Sequence, residues 1–315
     1  MSTENIFKKI LVSADGSLPS IAAQELTASI AKKFKSKVTV IHVIAHELMN
    51  PAMRDLLSGG ADTDILSAGI TRGDYTIPTQ MPKQPSTAIR SKIAQEITDL
   101  YREEGKDIIA DATALFKEEG VTADQILVER SDIAETILKE AETGDYDLIA
   151  MGYSGEKEKE PHLGSVTAKV ARHSEVPVLV TRERRQITKI LVPISGTEKT
   201  ENIVKHAANL AKKTNAKMTL LHVQESRLFK LRPKITEEIG DRILTQIANH
   251  LEGIKVDKLL ESGDPAKVIL KTAEDGNYDL IIMGNKSRST PGRFLLGSVS
   301  DHILHYTDVP ILLVK

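Results

Sequence analysis

Cysteine and tryptophan are both absent from the 315-residue chain. Without cysteine there is no disulfide, no thiolate metal centre and no cysteine nucleophile, a usage that fits a reducing compartment. Phe, Tyr and Trp together make up 3% of residues, too few for an aromatic platform that stacks bases. Charge excess is lacking too: 42 Lys and Arg face 44 Asp and Glu, for a net charge of -2. That balance excludes the basic footprint of a dedicated nucleic-acid binder. Apolar runs stop at strand length, as in Val38–Ile44, far short of the ~20 residues that span a bilayer. Met1 to Lys9 contains no apolar signal core. The expectation is a cytoplasmic protein with neither a nucleic-acid nor a membrane partner. Hydrophobic residues reach 40%, enough for a real core, and the length suits about two domains.

What is present is a repeat. Lys9-Ile-Leu-Val12 returns as Lys189-Ile-Leu-Val192, and Val40-Ile-His-Val43 as Leu220-Leu-His-Val223, both shifted by 180 positions. Asp145-Tyr-Asp-Leu-Ile-Ala-Met-Gly152 returns as Asn277-Tyr-Asp-Leu-Ile-Ile-Met-Gly284, shifted by 132. Leu163-Gly-Ser-Val166 matches Leu296-Gly-Ser-Val299, and Val176-Pro-Val-Leu-Val180 matches Val309-Pro-Ile-Leu-Leu313. Preserved order and chemistry imply two homologous halves. The predicted domains are 1–183 and 184–315, with an insertion near 46–87 in the first. Its glycines and prolines suggest a mobile loop or lid with a short helix.

In the first half, strands are predicted near 7–13, 38–44, 124–129, 146–151 and 177–181. Helices are predicted near 19–35, 88–119, 132–143 and 164–173. Continuous apolar strands such as Asp147-Leu-Ile-Ala-Met151 suit a sheet covered on both faces. Alternation of strand and helix implies parallel strands with right-handed crossovers. The predicted class is α/β, two doubly wound five-stranded parallel sheets. Such sheets bind ligands at the carboxyl ends of strands where the order reverses.

One candidate site lies there. Met283-Gly284 ends a strand, and Gly297-Ser298-Val299 opens a helix. A glycine after a strand lets backbone approach a ligand, and a helix start offers free N–H groups to an anion. Lys286, Arg288 and Arg293 lie between and would screen phosphate charge. The plainer reading is that Gly284 turns the chain and Ser298 caps the helix. Recurrence of the pattern in both halves weighs against it.

Elsewhere the plainer readings are favoured. His42 and His222 are expected to be packed and hydrogen-bonded rather than catalytic. Asp132 and Asp264 are expected to cap helices, with Pro265 in the first turn of one. His302 and His305 sit three apart on a helix, a spacing that could share a metal, yet no pattern nearby completes a site. No Gly-x-x-x-x-Gly-Lys-Ser/Thr loop, Gly-x-Ser-x-Gly elbow or His-Glu-x-x-His motif occurs.

Taken together, these motifs resemble a tandem universal stress protein. That family carries a Gly-x2-Gly-x9-Gly-Ser/Thr loop after a strand ending in Met-Gly, and an Ile-Leu-Val-x-x-Asp-Gly-Ser signature on strand one. The matching segments here are Ile10-Leu-Val-Ser-Ala-Asp-Gly-Ser17 and Ile190-Leu-Val-Pro-Ile-Ser-Gly-Thr197. The resemblance implies strand order 3-2-1-4-5 in each domain, the adenine nucleotide alpha hydrolase-like fold. It implies a pocket for ATP or AMP, often with Mg2+ or Mn2+. Carried over to the first half, the pocket would use Ser13, Ala14, Asp15, Val43, Met151, Gly152, Gly155, Gly164, Ser165 and Val166. In the second half it would use Pro193, Ile194, Ser195, Val223, Met283, Gly284, Ser287, Arg288, Gly297, Ser298 and Val299.

Neither half keeps the whole pattern. The first-half loop is one residue short and contains Glu156-Lys-Glu-Lys-Glu160, whose carboxylates oppose polyphosphate. The second half has the full spacing and a basic loop, but Ser195 replaces the aspartate and Ser287 the middle glycine. Phosphates are therefore expected in the second half. The resemblance implies a stress-response or signalling protein acting through nucleotide-dependent conformation or assembly, with an unidentified protein partner. A nucleotide-free interaction module and a weak ATPase are the alternatives; no general base is recognisable. The closing strand Val309 to Val314 is apolar and expected at a sheet edge, where exposure invites pairing. The two halves may satisfy each other as a pseudo-dimer, and a homodimer is a further expectation.

Overall fold

The computed structural model describes residues 5–45, 70–72, 75–77, 87–130, 132–153, 163–183, 185–195, 200–225, 233–251, 253–285 and 296–315. The first half runs β1 (Lys9–Ser13), α1 (Leu18–Phe34), β2 (Lys37–Ala45), β3 (Ile70–Arg72), β4 (Tyr75–Ile77), α2 (Thr87–Glu118), β5 (Ala123–Arg130), α3 (Ile133–Thr143), β6 (Leu148–Gly152), α4 (Ser165–His173) and β7 (Val178–Thr181). The second runs β8 (Lys189–Pro193), α5 (Thr200–Thr214), β9 (Lys217–Glu225), α6 (Pro233–Asn249), β10 (Val256–Gly263), α7 (Pro265–Asp275), β11 (Leu280–Gly284), α8 (Ser298–Tyr306) and β12 (Ile311–Val314). None of these helices is long and apolar enough to cross a membrane.

Ten strands form one sheet in the order β10-β9-β8-β11-β12-β7-β6-β1-β2-β5. Each half reads 3-2-1-4-5, the order the resemblance implied, with the parallel neighbours that the alternating pattern predicted. The two are joined by antiparallel pairing of β12 with β7, Leu312 opposite Leu179. Val309 to Val314 thus closes its own half-sheet, and the pairing bears out the expectation that the two halves satisfy each other as a pseudo-dimer. Both final strands are apolar and fully buried, and pairing them satisfies two rows of backbone groups at once. The edges of the joined sheet are β5 and β10. Within the insertion, β3 and β4 pair antiparallel, and the expected lid and short helix near 46–87 fall otherwise outside the described residues.

The sheet buries one hydrophobic layer on each face, and each layer runs through both halves. Ile10, Val40, Val192 and Leu220 share one layer with Leu26, Ile109, Ala207 and Leu244 of α1, α2, α5 and α6. Leu11, Ile149 and Ile281 share the other with Ile137, Val170, Ile269 and Ile303 of α3, α4, α7 and α8. Full burial on both faces is why the strand sequences are continuously apolar rather than alternating.

The repeated Asp/Asn-Tyr-Asp segment proves to be structural. The Asp147 carboxylate accepts the backbone N–H groups of Lys8 and Lys9, both at 2.9 Å, and Asp279 accepts those of Thr188 and Lys189 at 2.8 Å. Each aspartate thereby clamps the start of its central strand. Tyr146 and Tyr278 carry the ammonium groups of Lys9 and Lys189 over their rings at 4.3 and 5.0 Å. Asp145 and Asn277 occupy the left-handed region at φ 51° and 48°, where short polar side chains are tolerated.

Candidate functional site

At the carboxyl end of β1, the Ala14 N–H donates to the Ile41 carbonyl at 2.9 Å. The Ala14 carbonyl accepts from His42 Nδ1 at 2.7 Å. The second half repeats this: the Ile194 N–H donates to Leu221 at 2.9 Å, and the Ile194 carbonyl accepts from His222 Nδ1 at 3.0 Å. Carbonyl oxygens only accept, so each ring carries its proton on Nδ1. The matched histidines are fasteners that hold the turn after the central strand, as their packed reading anticipated.

Each ring fits because a helix passes close behind it. A Cβ at Gly105 would lie 3.0 Å from His42 Cδ2, and one at Gly240 would lie 3.1 Å from His222 Cδ2. Sequence reasoning missed both glycines. Their signal was available: a glycine inside a helical pattern, costing about 1 kcal/mol against alanine, usually has a packing reason.

Asp15 is tied into its own turn. Its Oδ1 accepts from the Ser17 N–H at 3.0 Å and the Ser17 hydroxyl at 2.6 Å. Ser17 in turn caps α1 by accepting from the Ser20 N–H at 3.2 Å. Ser13 is half-buried, and Asp15 and its counterpart Ser195 are both exposed. Val43, Met151 and Met283 are buried, while Val223 is half-buried. Pro193 ends β8 among the buried strand residues.

The glycine loop closes at its base in both halves. The Gly164 N–H donates to the Tyr153 carbonyl at 2.9 Å, and the Gly297 N–H to the Asn285 carbonyl at 2.7 Å. Thr167 Oγ1 donates to the Gly152 carbonyl at 2.8 Å and Ser300 Oγ to the Gly284 carbonyl at 2.6 Å. Strand end and helix start therefore meet in each half. Gly155, Ser287 and Arg288, with Lys286, Arg293 and the charged run Glu156 to Glu160, lie outside the described residues.

The plainer capping reading needs correction here. Ser165 and Ser298 do not cap their helices; the cap residues are Gly164 and Gly297, neither of which offers a capping side chain. Ser165 and Ser298 are exposed in the first turn, with Val166 and Val299 half-buried behind them. A glycine at the cap leaves first-turn N–H groups without a side-chain acceptor, the arrangement that attracts anions. Gly152 is closely approached by the first turn of α1. A Cβ there would lie 2.7 Å from both Pro19 C and Ser20 N. Among the described residues, a Cβ at Gly284 would meet the Ile203 side chain, at 3.0 Å.

The remaining candidates take the plainer roles. Asp132 accepts from the Glu135 N–H at 2.9 Å and Asp264 from the Lys267 N–H at 3.0 Å, each capping its helix. The Glu135 N–H, then Lys169, hold the Asp132 carboxyl below its ordinary pKa. His302 lies against Tyr306 with ring centroids 4.6 Å apart, and His305 Nδ1 donates to the Asp301 carbonyl at 2.7 Å. Among the described residues, no three His, Asp or Glu side chains are grouped closely enough to hold a metal ion.

Comparison with known proteins fits this geometry. The universal stress protein family model matches twice, over residues 75–182 and 186–315. A universal stress protein of Synechocystis is 23% identical over 310 residues, covering 97% of this chain and 99% of its own. One from Methanocaldococcus jannaschii is 30% identical over 138 residues, 40% of this chain and 81% of its own. The crystal structure of a universal stress protein from Archaeoglobus fulgidus covers 98% of both chains with a TM-score of 0.65 at 20% identity, a likeness of fold. With two matched domains joined through their closing strands, the chain belongs to the universal stress protein family as a tandem member.

Proposed function

We propose that this chain binds an adenine nucleotide, ATP or AMP, at the carboxyl end of its second sheet half, and acts through the conformation or assembly that binding favours. The observation that carries the reading is the closed base of the second glycine loop. There the Gly297 N–H is spent on Asn285, and α8 begins with no side-chain cap. Those first-turn N–H groups, with the Ser298 hydroxyl, would take phosphate oxygens. Ile194 and Ser195 would flank the adenosine, their backbone held by His222. Val223 and Met283 would supply apolar contact to the base and ribose, with Ser287 and Arg288 toward the phosphates. A divalent ion such as Mg2+ or Mn2+ would arrive with the polyphosphate.

The first half is read as structural or as a weaker site for a shorter ligand. Asp15, Gly164 and Ser165 keep the form of a pocket there, but Gly152 is accounted for by the passage of α1. Turnover is not part of the proposal, because the sequence shows no recognisable general base. Nucleotide binding would shift a population of conformers that a partner reads.

Calorimetric titration with ATP and AMP, with and without Mg2+, tests the reading. One nucleotide per chain is expected. Gly297→Asp should reduce affinity at least about a hundredfold, because a carboxylate would occupy the anion seat. Unchanged affinity in that variant would remove the site from the second half, and no binding of either nucleotide would leave the interaction-module reading.

A further inference from the structure

Behind β9 and β10, on the face covered by α6, the second half contains a cavity of about 490 Å³ lined by Gln224, Glu237, Glu238, Asp241, Leu260, Glu261 and Ser262. Four of the seven lining residues are carboxylates. Lys258 meets Asp241 at 3.4 Å; among the described residues, no ion pair involves Glu237, Glu238 or Glu261.

Gln224 supplies an independent sign that something binds there. It is 6% exposed, and its buried Nε2 has no hydrogen-bond partner. A buried amide without a partner costs about 1–3 kcal/mol, so native proteins seldom leave one facing an empty space. A half-turn about its last bond exchanges amide oxygen and nitrogen, so the group can accept from an ammonium as well as donate.

The first half shows what a self-sufficient version looks like. Gly105 faces His42, Leu127 and Ile44, whereas Gly240 faces His222, Leu260 and Gln224. Ile44 pairs in register with Glu129, and Gln224 with Ser262. Arg102, three residues before Gly105, meets Glu129 with both Nε and Nη2 at 2.8 Å. Lys106, one residue after Gly105, meets Glu103 at 2.6 Å. At the corresponding places the second half has Glu237 for Arg102, Asp241 for Lys106, Ser262 for Glu129 and Gln224 for Ile44. Both cations have become carboxylates, and among the described residues only Lys258, on Asp241, is paired with any of the four acidic groups.

We infer that this cavity binds a linear organic di- or polyamine. No three of its acidic groups are close enough for a metal ion, so the negative charge is spread along α6 and across to β10. An extended cation with ammonium groups separated by methylenes matches that spread. Leu260 offers an apolar wall to the methylenes, and Gln224 accepts one ammonium at the inner end. The volume lies within the range of small-molecule sites.

Calorimetry of the nucleotide-free full chain with spermidine and putrescine tests the inference. Saturable one-site binding of spermidine is expected, falling as NaCl rises from about 20 to about 200 mM. Glu237→Arg with Ser262→Glu rebuilds the first-half ion pair and should weaken binding at least about tenfold. Should that pair lower the melting temperature, Glu237→Gln alone, at an exposed position, should still weaken it about threefold. Absence of saturable amine binding would overturn the inference. So would equal affinity in the variants, or Mg2+ binding at the same residues in preference to either amine.

Discussion

The two halves are the same fold built to different tolerances. Around the helix start they use the same bonds, Gly164 to Tyr153 and Gly297 to Asn285. They differ in what those anchor residues do. Tyr153 sends its hydroxyl across the seam to the His305 carbonyl at 2.6 Å, under an Arg182 guanidinium 3.6 Å from its ring. Asn285 instead is 2% exposed with an unpartnered buried Nδ2. The first half uses its spare side chains to grip the second. Both halves leave buried polar atoms unpartnered, Thr27 Oγ1 and Arg182 Nε in the first and Thr200 Oγ1, Gln224 Nε2 and Asn285 Nδ2 in the second, but only in the second are the unpartnered groups side-chain amides placed at the strand ends. Duplication permits such a division, because one copy can carry packing while the other keeps binding.

The sharpest way to break this comparison is at the paired strand-end glycines. Gly152→Ala drives a Cβ against the α1 backbone at 2.7 Å and is expected to destabilise by about 2–3 kcal/mol. Among the described residues, Gly284→Ala meets the end of Ile203, which can rotate, and should cost under about 1 kcal/mol. Urea unfolding of both variants reads the difference; equal losses would mean that the two strand ends carry equal packing demands. Next in size, Tyr153→Phe removes one donor from the His305 carbonyl while Arg182 remains within 3.4 Å. A loss of about 1 kcal/mol is expected, and chemical denaturation measures it.

Acid should act on the same seam. His206 of α5 packs near Phe7 of the first half, ring centroids 5.8 Å apart, and burial depresses its pKa below the ordinary value, with the Asn202 carbonyl opposing. The folded state thus holds the ring neutral where the unfolded chain would protonate it. Stability from this group is present above the unfolded value of about 6.5 and is lost progressively as pH falls from there through the lower folded value. Melting temperature should decline more steeply below that pH in the wild type than in His206→Leu; parallel curves would remove His206 from the account. The smallest effect concerns the paired helix ends Lys35 and Asn215, at φ 54° and 58°. Lys35→Asn should stabilise by about 0.5 kcal/mol, since asparagine tolerates that region better than lysine. A calorimetric scan resolves it, and a lower melting temperature would show that Lys35 contributes more than its backbone.

Much of this was legible beforehand because the clues were local. Strand and helix positions followed from apolar runs and turn residues, and each first-half element that was expected falls within two residues of its bounds, whereas the short β3–β4 hairpin was not foreseen. The capping roles of Asp132 and Asp264 and the quiet roles of His42 and His222 were likewise readable. The contact of Gly152 with the first turn of α1 was not legible because the two lie more than 130 residues apart in sequence. A similar distance hid the clamp of Asp147 on Lys8 and Lys9, and the histidine–glycine contacts of β2 and β9 with α2 and α6 were hidden because they join different elements.

By itself, the sequence determined that there are two related α/β domains with parallel strands, because hydrophobic period and repeat spacing are properties of the chain. Only the tertiary structure decided that the two closing strands bond to each other rather than line an edge. Only it decided that Gly152 serves a helix, and that Gln224 sits without a partner among carboxylates. Those outcomes depend on which distant atoms share a few ångströms, and burial and pairing are fixed only when the layers pack.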